Sequence, residues 1–287
     1  MKILFAVLLL TFSFALSFAQ TGDQTKKPFV LGEIRELQSA ELGEKRILNI
    51  YLPAGYEQDS EARYPVIYLL DGSADEDFIH IVGLVQFNNF PWIDRVPKSI
   101  VVGIANVDRR RDFTFPTSIA EDRKSFPTAG RSERFIRFLE NELQPFIEKN
   151  YRTSNARMLI GQSLGGLLAT EILLKKPRLF DKYIIISPSL WWDDGSLLDQ
   201  KSEIFEQGFS PKTDIYIGVG KEGLTPGRRP RVMEVDANLL ADRLRKTKSP
   251  NVRVYFDYLP EEDHATITHS AVFNAFRLLY PAKTEKD

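Results

Sequence analysis

The sequence contains no cysteine among its 287 residues. This absence excludes disulfide bonds, thiolate metal ligands and a cysteine nucleophile. It also excludes a lipid-modified cysteine at the end of an N-terminal leader. The chemistry of any site in this chain must therefore come from other side chains.

Histidine is scarce as well, with three residues, and neither a His-Glu-x-x-His motif nor a clustered ligand set is present. The sequence also lacks a glycine-rich phosphate loop, so we expect no metal and no cofactor. The net charge is −1, and the arginine clusters at 109–111 and 228–231 are too local for a nucleic-acid footprint. We therefore expect no nucleic-acid partner.

The N-terminus has the pattern of an export signal. Lys2 supplies the positive charge, an apolar run follows, and residues 17–19 place small side chains where a signal peptidase reads them. We predict a signal peptide over 1–19, cleavage before Gln20, and a polar, disordered segment over 20–27. The protein would then be periplasmic or secreted, without stable membrane insertion. The alternative is an uncleaved membrane anchor.

Strand-like and helix-like segments alternate from residue 28 to residue 281, before a polar tail over 282–287. The predicted strands are Val30–Leu37, Arg46–Tyr51, Tyr64–Leu70, Ser99–Ala105, Arg157–Ile160, Tyr183–Ser187, Asp214–Gly220 and Val252–Tyr258. The predicted helices are Glu133–Asn150, bent or split at Pro145, then Leu164–Lys176, Val232–Lys246 and Thr266–Leu279. This alternation predicts one α/β domain with a mostly parallel sheet and helices on both faces.

The segment Gly161–Gly165 reads Gly-Gln-Ser-Leu-Gly and matches the G-x-S-x-G nucleophile elbow. In that turn a serine sits between a strand and a helix with its hydroxyl exposed at the top of the sheet. Here a short apolar strand precedes the motif and an apolar helix follows it, as an elbow requires. We predict Ser163 as the nucleophile.

Serine needs a base to take its proton, and histidine serves because its ordinary pKa lies near neutral pH. The order serine, acid, histidine leaves His264 and His269, because His80 precedes the serine. His264 lies in a polar loop after the last strand, which favours it over His269 in the following helix. We interpret His80 as a structural histidine.

An acid should orient the imidazole from the loop after the strand Asp214–Gly220. Glu222 lies two residues past the end of that strand. Glu234 and Asp236 compete with it, although either could instead favour the N-terminal dipole of the next helix. A serine–histidine pair without a dedicated acid is the third possibility.

The oxyanion of the tetrahedral intermediate needs two N–H donors. One is the backbone N–H of Leu164, directly after the nucleophile. The other should come from the loop after the third strand, where we predict Gly72 or Ser73. A plain turn at Asp71–Gly72 is the alternative interpretation.

Two further segments are candidates for substrate binding. Trp191 and Trp192 follow the strand beside the elbow and could stack on an aromatic group, or could belong to the core. Arg109 follows the fourth strand and could bind an anionic substrate, or could form an internal pair with an aspartate.

Four segments together resemble the esterase family related to esterase D and the enterochelin esterases, in its exported single-domain branch. They are Asp71–Gly72, Val102–Arg109, Gly161–Gly166 and Ile186–Trp192. The resemblance covers about residues 30–280 and implies an α/β-hydrolase fold and hydrolysis of carboxylic esters. Ser163 matches the family nucleophile and His264 its base. Glu222 stands where relatives carry Asp or Glu, although some siderophore-cleaving relatives are described as serine–histidine dyads.

The leading hypothesis is an exported serine esterase that acts through an acyl-enzyme on Ser163. The family includes siderophore trilactone (enterobactin-like) hydrolases and feruloyl and acetyl xylan esterases, so either class of ester fits. An acyltransferase would use the same serine and histidine. A non-catalytic binding module is the third hypothesis, which the complete serine, acid and histidine set disfavours. The sequence leaves open a monomer or a homodimer.

Overall fold

Short apolar runs rich in isoleucine, valine and tyrosine form the centre of the molecule. The computed structural model describes residues 26–225 and 230–282. Its strands are β1 (Glu33–Ser39), β2 (Glu44–Tyr51), β3 (Tyr64–Leu69), β4 (Ile100–Ile104), β5 (Thr153–Gln162), β6 (Lys182–Ile186), β7 (Thr213–Gly220) and β8 (Val252–Leu259). They form one sheet in the order β1-β2-β4-β3-β5-β6-β7-β8. The β1–β2 and β2–β4 pairs are antiparallel, and all other neighbours are parallel.

Helices cover both faces of this sheet. They are α1 (Phe78–Asn88), α2 (Arg109–Phe113), α3 (Ala120–Ser125), α4 (Ser132–Phe138), α5 (Gln144–Asn150), α6 (Leu164–Lys175), α7 (Met233–Arg245) and α8 (Ile267–Leu279). Side chains of α1 and α8 share one buried apolar cluster with one face of the sheet, and those of α4, α5, α6 and α7 share the other. The predicted architecture is confirmed.

Burial is complete in two strands of the sheet. Every residue of β4 and of β7 is buried, because parallel strands covered on both faces have no solvated side. Strand β5 is longer than predicted and begins with exposed residues before its buried half reaches Gln162. Because β3, β5, β6 and β7 are parallel, their carboxyl ends lie at the same edge of the sheet. The loops that carry the candidate catalytic residues leave the sheet at this edge.

The helical segment that the sequence predicts over 133–150 is divided. A π-helical turn over Leu139–Leu143 separates α4 from α5, and Pro145 is the second residue of α5. Proline has no N–H to bond to the preceding turn, and a π turn is a usual way to absorb such a break. The short helices α2 and α3 were not predicted, since five or six residues carry no readable period.

The chain divides into the units Met1–Val30 and Leu31–Asp287. Residues 26–30, the described part of the first unit, contain no helix or strand. The predicted signal peptide over 1–19, most of the segment over 20–27 and the tail beyond residue 282 lie outside the described residues. In the part of the chain that is described, no helix has both the length and the apolar character needed to cross a membrane.

Candidate active site

Ser163 occupies the turn between β5 and α6 with φ of 60° and ψ of −119°. A non-glycine residue adopts a positive φ only when its surroundings enforce it. Gly161 is required, because a Cβ on it would lie 2.4 Å from the carbonyl oxygen of Gly165, whereas a Cβ on Gly165 would lie 3.2 Å from Asp71 Oδ2. The structure therefore has the strained elbow geometry that the motif predicts.

The structure brings Ser163, His264 and Glu222 together in one hydrogen-bonded relay. His264 Nε2 lies 2.9 Å from Ser163 Oγ, and His264 Nδ1 lies 2.6 Å from Glu222 Oε2. The loops after β7 and β8 lie in contact here, since the N–H of Lys221 donates to the Glu262 carbonyl at 2.7 Å. The three residues have the geometry of a catalytic triad.

Of the three acids that the sequence left open, Glu222 is the one that contacts the imidazole. Glu234 accepts hydrogen bonds from the backbone N–H groups of Glu222 and Gly223. Asp236 pairs with Arg231, with Nε and Nη2 each 2.7 Å from a carboxylate oxygen. The arrangement is thus a triad with a dedicated acid.

The Glu222 carboxylate is almost fully buried, with 3% of its side chain exposed. Its second oxygen, Oε1, accepts a hydrogen bond from the hydroxyl of Ser187 and a longer one, 3.4 Å, from the N–H of Gly220. Ser187 is itself buried and has φ of 41°. The sequence does not indicate this role, because a serine at the end of a strand carries no signal for the residue that it will face.

The backbone around His264 is fixed from two sides. Gln162 donates from Nε2 to the His264 carbonyl at 2.7 Å, which ties the histidine loop to the elbow. Asp263 Oδ1 accepts from the N–H groups of Ala265 and Thr266, and these hydrogen bonds lower the pKa of Asp263. The imidazole remains partly exposed, with 43% of the side chain accessible, so a substrate can reach it.

The predicted oxyanion donors differ in their availability. The N–H of Gly72 donates to the Ile104 carbonyl at 3.0 Å, which corrects the expectation that Gly72 is an oxyanion donor. Within the described residues, no acceptor is bonded to the N–H of Ser73 or of Leu164. Gly72 is still required for shape, because a Cβ there would lie 2.4 Å from Gly103 Cα.

Arg109 lies at the site as part of an ion pair. Its Nε and Nη2 are 2.6 Å and 2.9 Å from the two oxygens of Asp71, and Nη2 also donates to the Gln162 carbonyl at 3.1 Å. Asn106 donates to the same carboxylate at 2.7 Å. The internal arginine–aspartate pair is thus the interpretation that the structure supports, and it braces the loop after β3 against the elbow.

A cavity of about 450 Å³ opens over the nucleophile. Its walls are Asp71, Glu76, Asp77, Arg109, Gln162, Ser163, His264, Ala265 and Thr268. Burial, together with the neighbouring Asp71 carboxylate, raises the pKa of Asp77. The volume lies within the range of small-molecule pockets.

The two tryptophans do not line this cavity. Trp192 is fully buried and donates from its indole N–H to the Phe115 carbonyl at 2.9 Å. The expectation that Trp192 binds substrate is therefore wrong, because a tight turn after Pro188 directs the ring into the core. Trp191 is partly buried and tilts against Phe126, with ring centroids 6.3 Å apart.

The residue that does approach the nucleophile from this segment is Ser189. Its Oγ lies 3.4 Å from Ser163 Oγ. The other two histidines lie elsewhere, with the rings of His80 and His269 in edge-to-face contact at 4.8 Å. Among the residues that the structure describes, no group of three potential ligands could hold a metal ion.

Comparison with known proteins gives a consistent result. The family model described as "Putative esterase" matches residues 39–264. The ferri-bacillibactin esterase BesA of Bacillus subtilis (strain 168) is 30% identical over 278 residues, covering 91% of this chain and 95% of BesA. The siderophore triacetylfusarinine C esterase of Aspergillus fumigatus is 30% identical over 175 residues, 57% of this chain and 58% of that protein.

Similar proteins are also found among the solved structures. The crystal structure of an IroE-like serine hydrolase from Shewanella oneidensis has a TM-score of 0.76 and 32% identity, and covers 87% of this chain and 80% of that one. The BES protein from Bacillus cereus also has a TM-score of 0.76, with 27% identity, over 91% of this chain and 99% of that one. The chain has the α/β-hydrolase fold and belongs to this esterase family, whose enzymes hydrolyse ester bonds.

Proposed function

We propose that this protein is an exported serine esterase that hydrolyses carboxylic esters through an acyl-enzyme on Ser163. The observation that carries the proposal is the relay from Ser163 Oγ through His264 to Glu222, at 2.9 Å and 2.6 Å. A hydroxyl at this distance from a neutral imidazole can be deprotonated as it attacks.

In the acylation step, Ser163 Oγ attacks the ester carbonyl carbon while its proton moves to His264 Nε2. Glu222 keeps the Nδ1 proton facing its carboxylate and stabilises the imidazolium that forms. The N–H groups of Leu164 and Ser73 donate to the oxyanion. Collapse of the intermediate breaks the ester bond, and His264 returns the proton to the leaving alcohol.

Deacylation repeats the sequence with water in place of the serine hydroxyl. His264 takes a proton from the water as the water attacks the acyl carbon, and then protonates Ser163 Oγ when the acid leaves. The exposed part of His264 faces the cavity, which gives water access to Nε2. Hydrolysis therefore needs no group beyond those already described.

The proposed substrates are siderophore esters, including enterobactin-like trilactones, with feruloyl or acetyl sugar esters as the second class. A relative aligned over 91% of this chain is named as a ferri-bacillibactin esterase, and one aligned over 57% of it is named as a siderophore triacetylfusarinine C esterase. A relative of shorter coverage, 52% of this chain, is named as an endo-1,4-beta-xylanase/feruloyl esterase. Siderophore esters are therefore the preferred class, because the relatives that support them align with a larger share of this chain.

A fluorophosphonate label on the purified protein tests the mechanism. We expect labelling of Ser163, mapped by peptide mass, that is lost in Ser163→Ala and strongly reduced in His264→Ala. Esterase activity should fall by about 10³-fold or more in both variants. Substantial activity in folded Ser163→Ala would contradict the proposal.

A panel of esters assayed beside the label identifies the substrate class. Trilactone siderophores, feruloylated sugars and acetylated sugars are compared by kcat/KM, with a sugar acceptor added in parallel. Release of free acid in the presence of the acceptor indicates hydrolysis. Acylation of the acceptor would instead indicate an acyltransferase.

A further inference from the structure

The acid of the triad stands on a segment that belongs to no helix or strand. Glu222 follows the last residue of β7 by two positions and lies between β7 and α7. Only a residue whose backbone is fixed can hold a carboxylate 2.6 Å from the imidazole nitrogen. The backbone of Glu222 must therefore be fixed by a contact other than the backbone hydrogen bonds of a helix or strand.

The carboxylate of Glu234 makes that contact. Its Oε1 accepts hydrogen bonds from the N–H of Glu222 at 2.8 Å and from the N–H of Gly223 at 3.0 Å. Its Oε2 lies 3.0 Å from the same Gly223 N–H. The backbone N–H groups of two consecutive residues, Glu222 and Gly223, thus both donate to the Glu234 carboxylate.

Glu234 is well placed to act as an anchor. It is the second residue of α7, a helix whose inner face buries Ala237, Leu240 and Ala241 completely. Burial opposes its ionisation, but the backbone N–H groups of Glu234 itself, Glu222 and Gly223 outweigh burial and lower its pKa. The carboxylate is therefore ionised at neutral pH, the form that accepts strong hydrogen bonds.

Backbone contacts join the residues that follow Glu222 to those that precede Glu234. The N–H of Met233 donates to the Gly223 carbonyl at 3.1 Å, and Leu224 forms an isolated antiparallel bridge with Val232. Gly223 has φ of 74°, a value that suits glycine. Movement of the Glu234 carboxylate would therefore be transmitted directly to Glu222.

We propose that Glu234 is a positioning residue for the reaction, which holds the backbone of Glu222 and Gly223 so that the triad carboxylate meets His264. The inference rests on the proposed function, because it assigns Glu234 a role through Glu222. Glu234 touches neither Ser163 nor His264, so its effect should appear in turnover and not in substrate affinity.

Three variants test this role: Glu234→Ala, Glu234→Gln and the control Glu133→Ala. A displaced carboxylate costs catalysis steeply, so Glu234→Ala should lower kcat by about 10- to 100-fold with KM within about 2-fold. Glu234→Gln retains one acceptor oxygen, so its kcat should recover most of the difference from the unmodified enzyme. Glu133 is the second residue of α4 and its side chain is 84% exposed, so Glu133→Ala should leave kcat unchanged.

A double-variant comparison separates positioning from general destabilisation. In a Glu222→Ala background the added Glu234→Ala substitution should lower kcat by less than about 2-fold, because the group it positions is gone. Unchanged kcat in folded Glu234→Ala, no recovery with Gln, or the full loss repeated in the Glu222→Ala background would each overturn the inference. An active Ser163→Ala protein would instead remove the proposed function itself.

Discussion

Both oxygens of the Glu222 carboxylate have hydrogen-bond donors in this structure. His264 Nδ1 faces Oε2, and the hydroxyl of Ser187 donates to Oε1. A buried carboxylate is costly unless its lone pairs are satisfied. Ser187 therefore offsets the cost of burial and fixes the orientation of the carboxylate, which leaves Oε2 aimed at the imidazole.

Glu222→Gln tests the catalytic part of this arrangement. An amide keeps the size of the side chain, but its oxygen and nitrogen cannot both serve the partners of a carboxylate. We expect kcat to fall by about 10²- to 10⁴-fold with little change in KM, because the imidazolium loses its counter-charge and its correct tautomer is disfavoured. Steady-state kinetics with an activated ester measure both constants.

The control for this variant is Glu261→Gln, an exposed residue of the histidine loop. It removes one negative charge from the same region and should leave kcat unchanged. A Glu222→Gln enzyme with near-normal kcat would show that Ser163 and His264 work as a dyad, the possibility that some relatives raise.

Prediction from the sequence works best for residues whose motif dictates their geometry. The elbow motif predicts Ser163, and the chain order of the three catalytic residues favours His264. For the acid, the sequence leaves Glu222, Glu234 and Asp236 as candidates, because a position after a strand does not determine which carboxylate faces the imidazole. The expectation that Trp192 binds substrate fails, because the same aromatic run after a strand can turn into the core or toward solvent, and here Trp192 is buried.

At the scale of elements, Asp214 joins three neighbouring parallel strands. This buried residue of β7 lies 2.6 Å from Lys182 Nζ on β6 and 2.6 Å from Arg253 Nε on β8. Burial opposes ionisation of Asp214, but its hydrogen bonds and charge interactions with Arg253 and Lys182 outweigh burial and lower its pKa. The carboxylate thus stabilises the sheet while it remains ionised.

Asp214→Asn should therefore lower the free energy of unfolding in a pH-dependent way. A depressed folded-state pKa means that the contribution is present above the unfolded value, about 3.9, and is lost as pH falls through the folded value. We expect a loss of about 1–3 kcal/mol at pH 7, the usual cost of removing hydrogen bonds to a charged group, shrinking toward zero in strong acid. Denaturant unfolding of both proteins across that range measures it.

Asp242→Asn provides the matched comparison. Asp242 pairs with Arg245 on α7 with both side chains about half exposed, so its removal should cost less than about 0.5 kcal/mol at any pH. An Asp214→Asn effect that is equally small at pH 7, or that grows as the pH falls, would contradict the assignment.

The elements themselves were largely predictable. Each predicted strand has a counterpart in the sheet. The fully buried strands β4 and β7 were recognisable because a strand buried on both faces is a near-continuous apolar run. The missed features were local and short. Helix α2 (Arg109–Phe113) begins at the Asp108 cap, whose carboxylate accepts from the N–H of Arg111, and its five residues are too few for a period. The π turn before α5 depends on backbone packing that no periodicity reports.

At the scale of the whole molecule, the catalytic unit and the predicted signal peptide occupy separate parts of the sequence. The family model matches 39–264, and the compact unit begins at Leu31. All the residues assigned here to catalysis lie between Ser73 and His264. Catalytic activity should therefore depend on this unit alone. The first 19 residues should determine only where in the cell the protein is delivered.

The absence of cysteine makes this separation testable in either compartment. A chain with no thiol has no disulfide to form outside the cytoplasm. A protein that starts at Gln20 and is made in the cytoplasm should therefore have the kcat and thermal midpoint of the exported form. Enzyme assays and thermal unfolding of the two preparations compare them.

The predicted signal peptide should be removed when the full-length chain is exported. In a bacterial host with a general export pathway, residues 1–19 should direct the chain out of the cytoplasm, and cleavage after Ala19 should leave Gln20 as the first residue. Intact-mass analysis of the periplasmic fraction, with a charged residue in place of Leu9 as the control that blocks export, measures this. An intact Met1 form held in the membrane fraction would favour the uncleaved anchor, because a retained apolar leader would tether the enzyme.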